Sequence, residues 1–357
     1  MNELKLIVLD NIEGLGRKVD EHLQKETGCT ESFLLPITKD RFSNGEGKIK
    51  INASVRDKDI YILSDVGNYN ITYLMHGYTH HYSPDEHFQD IKRVISALSG
   101  YAAKITLVMP LLYESRQHKR KGRESLDCAI ALKELESLGV DLIVTFDAHD
   151  PNVSNAIPNL PFENFFVAHD ILNQIVKKEN ISNLLVISPD MGAMERARYY
   201  AEILNSDVGV FYKRRDLSKV IDGKNPIVEH VYLGAPVVGK DVIVVDDMIA
   251  TGSSMIEVAE YLKSHGAGKV YLVSTFALLT EGPSIFIESY QKGLFDKLYS
   301  TNLSYVSDII KNLEWYEEVD CSKRLSRIIE KLHNKESLKT IYDDVKEVLH
   351  NVERKKV

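Results

Sequence analysis

The chain is poor in cysteine. Among its 357 residues only Cys29, Cys128 and Cys321 carry a thiol. They are scattered, which excludes a disulfide framework and any paired metal spacing and points to a reducing cytoplasm. No apolar run is long enough to span a bilayer and no signal peptide is visible, so a membrane location is not expected. Excess positive charge is missing as well. The net charge of −8 argues against generic binding to nucleic acid or to an acidic membrane surface. An anionic substrate would need local basic clusters. Two common nucleotide signatures are also absent. No GxxxxGK[ST] sequence occurs, which argues against an ordinary Walker A site. Gly14 and Gly16 lack the third glycine of a dinucleotide fingerprint, and read as turn or helix-start residues. No low-complexity or Pro/Gly/Ser-rich linker separates two independent halves.

What is present is ordinary globular material. A hydrophobic share of 44% and a charged share of 27% suit a soluble protein, and the length accommodates two domains. Short apolar runs at Leu4–Leu9, Ile60–Leu63, Ile105–Met109, Leu142–Phe146, Leu184–Ile187, Val208–Phe211, Val242–Val245 and Lys269–Ser274 read as strands. Residues 41–51 read as a turn-rich loop running into an alternating strand. Helical spacing appears at 91–98, 126–132, 192–204 and 255–262, and again in the tail at 325–332 and 338–345. This alternation of strand and helix predicts parallel sheets flanked by helices, arranged in two α/β halves.

Several stretches can carry chemistry. In DVIVVDDMIATGSSM (241–255), a buried strand delivers Asp246 and Asp247, and Thr251, Gly252, Ser253 and Ser254 open a helix. Ligands in open α/β sheets lie at strand carboxyl ends, and a helix start offers N–H groups to a phosphate. An ordinary βα turn capped by serine has the same composition. Arg116, Gln117, His118, Lys119, Arg120, Lys121 and Arg123 form a basic run after a strand, either a solvated loop or an anion site. Asp147 and His149 fall together in FDAHD, where a metal or a local Asp–His bond would fit. Asp190 sits at another strand end. Lys213, Arg214 and Arg215 stand at a strand tip, as a charged hairpin end or as a clamp for polyphosphate. His76, His80, His81 and His87, with Asp85 and Glu86, lie in the least typical stretch, 65–90. No clean helical pair with a third ligand is visible there, so a solvated or interface loop is expected ahead of a zinc site.

DVIVVDDMIATGSS resembles the phosphoribosyl diphosphate loop of the type I phosphoribosyltransferases. RFSNGE (41–46), ESRQHK (114–119), VTFDAHD (144–150), ISPDMGAMERAR (187–198) and FYKRRD (211–216) occur in the order found in ribose-phosphate diphosphokinases, and the resemblance spans roughly residues 4–330. It implies two similar phosphoribosyltransferase-like domains with the active site between them. The first, 1–164, is the ATP side, with the helices of 320–357 packing back on it. The second, 165–319, binds ribose 5-phosphate. The implied reaction converts ATP and ribose 5-phosphate to AMP and 5-phospho-α-D-ribose 1-diphosphate with Mg²⁺.

Position by position, the resemblance implies that Phe42 stacks on adenine with Asn44, Gly45 and Glu46 beside it. Arg116 and Gln117 contact the nucleotide, and His149 and Asp190 are metal-associated. Lys213 and Arg215 touch phosphates. Asp246, Asp247 and the loop Ala250, Thr251, Gly252, Ser253 and Ser254 take ribose 5-phosphate. It further implies a cytoplasmic homo-oligomer, dimer-based and up to a hexamer, whose adenine loop serves a neighbouring subunit. Asn44 stands where an aspartate is frequent, and Ala250 where the loop often carries an acid. The stretch 65–90 and the tail after 330 have no counterpart in the commonest class. The rivals are a phosphoribosyltransferase that consumes the diphosphate and a catalytically silent regulatory subunit.

Overall fold

The computed structural model describes the backbone of residues 3–181, 183–215 and 227–342, and their side chains except those of 213–215, 227–230 and 342. Two compact units emerge. The first runs up to Val167 and regains the chain at Asn302–Ser307 and Asp320–Tyr342. The second comprises Ala168–Thr301 and Asp308–Val319.

In the first unit the elements are β1 (Glu3–Val8), α1 (Glu13–Thr27), β2 (Ile37–Arg41), β3 (Gly47–Ile51), β4 (Lys58–Leu63), β5 (Thr72–Met75) and β6 (Tyr78–His81). Then come α2 (Pro84–Leu98), β7 (Lys104–Val108), α3 (Asp127–Ser137), β8 (Leu142–Phe146) and β9 (Phe162–Phe165). Strands β1-β4-β7-β8-β9 form one sheet, parallel throughout. Every residue of β8 is buried, as expected of a strand covered on both faces. Two antiparallel hairpins, β2–β3 and β5–β6, stand apart from that sheet. In α2 the buried Phe88, Ile91, Val94, Ile95 and Leu98 repeat at helical spacing.

The second unit contains α4 (Ala168–Lys178), β10 (Leu185–Ser188), α5 (Met194–Leu204), β11 (Asp207–Arg215), β12 (Ile227–Leu233), β13 (Val242–Ile249) and α6 (Ser253–Ser264). It continues through β14 (Val270–Ala277), α7 (Ser284–Gln291), β15 (Lys297–Thr301), α8 (Asp308–Lys311) and β16 (Tyr316–Val319). The sheet order is β12-β11-β10-β13-β14-β15-β16, with only the β11–β12 pair antiparallel. The last helix, α9 (Ser322–Asn334), belongs to the first unit and packs on α1 through Leu325, Ile328 and Ile329. An ion pair between Lys18 and Asp320, 2.7 Å apart, fixes its start. No helix of the described residues is long and apolar enough to cross a membrane.

The expectation of a loop over 65–90 is overturned. His76 and Gly77 both have positive φ (49° and 83°), as a two-residue type I′ turn requires, and they close β5 on β6. Ser83 then opens α2 with a reciprocal cap from Glu86, eight residues before the periodic stretch starting at Ile91. Three histidines of this stretch are bonded within it or to Asn11, just before α1. His87 is buried: its Nε2 donates to Asn68 O (2.7 Å) and its Nδ1 accepts from Asn11 Nδ2 (3.0 Å). His80 meets Glu86 at 3.0 Å, and His81 meets the Tyr69 carbonyl at 2.8 Å.

Candidate functional site

In the second unit, β13 runs past the apolar run Val242–Val245. Asp246 pairs in register with Ser274, and Met248 with Phe276, so the two acids lie inside the ladder rather than beyond its end. Asp247 is 2% exposed. Its N–H donates to Asp246 Oδ1 at 2.8 Å. Burial, then the neighbouring Asp247 charge, raises the Asp246 carboxyl well above its ordinary range. Arg196, from α5, opposes that rise and lies 3.9 Å from Asp247. The arrangement concentrates negative charge and hydrogen-bond acceptors in a desolvated place.

The turn after the acids is held by backbone. Thr280 N–H donates to Ala250 O (2.9 Å), and Leu278 and Leu279 N–H both donate to Ile249 O. Gly252 is the N-cap of α6, with φ 87° and no side-chain cap, so the alternative of a turn capped by serine is not what forms. A Cβ on Gly252 would lie 2.2 Å from the Phe286 ring. Glycine is therefore demanded twice, by the left-handed backbone and by the ring beneath it. Ser253 and Ser254 are exposed at the helix start, and Thr251 Oγ1 lies 3.2 Å from Ser253 Oγ. Hydroxyls and first-turn N–H groups thus converge where an anion is favoured.

Asp190 follows β10. Its Oδ1 accepts from Gly192 N–H (2.8 Å) and Ala193 N–H (3.1 Å), shaping the turn into α5. Lys213 and Arg215 belong to the β11–β12 ladder, opposite His230 and Ile227, with a register shift between Arg214 and Arg215. The side chains expected to touch phosphate there lie outside the described residues.

The first unit carries the remaining positions. Phe42 is 54% exposed at the tip of the β2–β3 hairpin. The turn is closed by Phe42 N–H to Glu46 O (2.8 Å), Gly45 N–H to Phe42 O (2.9 Å) and Glu46 N–H to Asn44 Oδ1 (3.2 Å). Arg116 is exposed. The Gln117 side-chain amide instead donates to Ser125 O at 2.8 Å, folding the basic run back on itself. His149 is exposed beyond β8, next to Asp147, whose φ is 41°. The structure adds a residue that the sequence reading left in the basic run. The His118 ring lies 5.3 Å from that of His149, and its Nε2 lies 3.3 Å from Asp150. Burial would raise the Asp150 carboxyl, but bonds from Asn152 and the charges of His118 and Lys119 bring it below the ordinary range. The only signal for this cluster was the shared imidazole content of two separated motifs. Phe42, Arg116, Gln117 and His149 therefore belong to the first unit, and Asp190, Lys213, Arg215 and residues 246–254 to the second. Among the described residues no three His, Cys, Asp or Glu side chains form a group that could hold a metal ion.

Paired acids on a parallel strand, followed by a glycine-opened helix start, fit the phosphoribosyltransferase-type α/β class that the loop resembles. Family models agree with that class and narrow it. The N-terminal domain of ribose phosphate pyrophosphokinase matches residues 4–139, the phosphoribosyl transferase domain 163–283, and the phosphoribosyl synthetase-associated domain 224–343. The chain belongs to the ribose-phosphate pyrophosphokinase, or phosphoribosyl diphosphate synthetase, family. Curated ribose-phosphate pyrophosphokinases from Haemophilus ducreyi and Pasteurella multocida are each 28% identical to it, over 96% of this chain and 100% of theirs. The fold is that of the phosphoribosylpyrophosphate synthetase of Mycobacterium smegmatis, with a TM-score of 0.78 at 21% identity, covering 94% of this chain and 100% of that one.

Proposed function

We propose that the protein is a ribose-phosphate diphosphokinase. The observation that carries this reading is the Gly252-opened helix start set directly after Asp246 and Asp247. It offers neutral donors for a sugar phosphate and carboxylate acceptors for sugar hydroxyls, two chemistries that a single substrate, ribose 5-phosphate, joins. The 5-phosphate would take N–H and hydroxyl donors from Thr251 to Ser254, with Ala250 leaving the turn uncharged. Asp246 and Asp247 would accept from the 2- and 3-hydroxyls.

ATP supplies the second substrate. The exposed Phe42 ring gives a face for adenine, with Asn44, Gly45 and Glu46 at its edge. The Arg116 guanidinium reaches phosphate oxygens, and Gln117 shapes the run that carries it. The sugar C1 oxygen attacks the β-phosphorus. The bond from that phosphorus to the α,β-bridging oxygen breaks, AMP leaves with the oxygen, and the C1 hydroxyl proton passes to solvent. Lys213 and Arg215 would neutralise charge as it spreads over the transferring group. Mg²⁺ supplies charge neutralisation on the phosphates. Such a hard cation keeps water and phosphate ligands and needs only one or two protein carboxylates. Asp190 fits this limited part, since its Oδ2 accepts no hydrogen bond among the described residues. His149 would act on the ion through coordinated water.

The reading includes a cytoplasmic location, consistent with three free cysteines. It also includes a dimer-based homo-oligomer, up to a hexamer, in which the exposed Phe42 turn serves a neighbouring subunit. The test mixes the pure protein with ATP, Mg²⁺ and ribose 5-phosphate and assays AMP. AMP formed only when the sugar is present is the expected outcome. Turnover only of preformed phosphoribosyl diphosphate with a base would make it a transferase instead, and neither activity would make it a silent subunit.

A further inference from the structure

The β5–β6 hairpin touches the Phe42 turn at three places. His76 N–H donates to the Ser43 carbonyl at 2.8 Å. Met75 and Tyr73 lie against Gly45: a Cβ added there would sit 2.9 Å from Met75 Sδ and 3.4 Å from Tyr73 Oη. Arg41, at the root of the turn, donates to the Gly45 carbonyl at 3.1 Å. The same guanidinium is fixed from behind. It donates to Tyr82 Oη at 2.8 Å and to both Asp90 oxygens at 3.0 Å, and it stacks over the Tyr82 and Tyr73 rings. Tyr73 in turn donates to Glu86 Oε1 at 2.6 Å, and Glu86 caps α2. A solvent-facing five-residue turn would ordinarily be loose. Here it is tied to a helix through a second hairpin.

We propose that the β5–β6 hairpin is a positioning element for the nucleotide, with Met75, Tyr73 and the His76 N–H holding the Phe42–Glu46 turn in its binding shape. It rests on the reading that Phe42 stacks on adenine. The physical gain is pre-organisation. If the turn spends only a fraction of its time in the competent shape, apparent affinity falls by that fraction, while the chemistry after binding is unaltered. The hairpin need not touch ATP. Leu74, 66% exposed, lies on the face opposite Tyr73 and Met75, and Tyr78, 78% exposed, stands beside the turn.

The experiment compares the full-length protein with Met75→Ala, Tyr73→Ala and Tyr78→Ala. Both inner variants should raise the KM for ATP about tenfold, as a tenfold drop in the competent population requires. The KM for ribose 5-phosphate and kcat should stay within about twofold, a split that general misfolding would not give. In ligand-free protein the Gly45 and Phe42 amides should exchange with solvent faster in both inner variants. Tyr78→Ala should change nothing. Unchanged exchange in both inner variants overturns the buttress, whether or not the protein turns over ATP. Faster exchange with an unchanged KM for ATP overturns its role in nucleotide binding. An equal KM rise in Tyr78→Ala overturns positioning in favour of direct contact by the hairpin tip. If the wild-type protein forms no AMP, the activity reading fails while the exchange measurement still decides whether the turn is held.

Discussion

The two candidate substrate loops are built in opposite ways. The turn at 250–252 is held by backbone bonds to residues 278–280, and its geometry depends on one glycine over one ring. The turn at 42–46 closes on itself through backbone bonds, but apart from the His76 N–H it is tied to its surroundings by side chains: a guanidinium fixed by a buried carboxylate, two tyrosines and a methionine. A backbone-built loop presents N–H groups at fixed spacing, which suits a phosphate, whose oxygens are alike. A side-chain-built loop presents a ring, which suits a base. The buried acids divide the same way. Both Asp65 oxygens are used by the protein, accepting from Gly67 N–H, Ser304 Oγ and Tyr305 N–H. Burial and the Asp247 charge instead raise the proton affinity of Asp246, close to the glycine-opened helix start.

The largest expected effect falls on the clamp that neither loop contains. Lys213→Ala should lower kcat about 10²–10³-fold with little change in either KM, since the cation acts on charge that develops only in the transition state. An unchanged kcat would remove Lys213 from the chemistry. Next comes the backbone-built loop. Gly252→Ala forces a side chain into φ 87° and against Phe286. It should cost about 2–5 kcal/mol at that turn, combining the left-handed penalty with overpacking. Saturation by ribose 5-phosphate should be lost before the KM for ATP moves. Phe42→Ala should do the reverse, raising the KM for ATP about tenfold or more, the worth of one base–aromatic stack, with the sugar unaffected. Matching effects of Gly252→Ala and Phe42→Ala on both substrates would erase the contrast between the loops.

The smallest effect concerns the structural acid. Burial raises Asp65 to about 6 in the folded protein, against about 3.9 unfolded. The folded state therefore holds the extra proton between those values, so this group's contribution to stability falls as pH rises from about 4 to about 6 and is level above. Asp65→Asn removes that slope and leaves one N–H donor facing an amide NH₂, at a cost of about 1–3 kcal/mol near neutrality. Denaturant midpoints of the two proteins across pH 4–7 read the difference. A constant difference would contradict the assignment.

Much of this was legible in the sequence because it is periodic. The short, β-branched runs at 142–146 and 242–245 suit a sheet covered on both faces, and both are buried strands. The stretch 65–90 was not legible. Its strands, TYLM and YTHH, are only four residues each, and neither buries a residue fully, so no apolar run marks them. The composition of 241–255 pointed to a phosphate loop, but not to Gly252 as the cap, because the reason lies in Phe286, thirty-four residues further along. The His118–His149–Asp150 cluster was equally hidden, since two motifs must be folded together before it exists.

The central claim is that a diphosphoryl group moves whole from ATP to the sugar. Phosphorus NMR of the complete reaction mixture follows it directly. The account predicts AMP and a sugar-linked diphosphate in equal amounts, appearing only when ribose 5-phosphate is present. ADP with a singly phosphorylated product, or free phosphate released without the sugar, would contradict it.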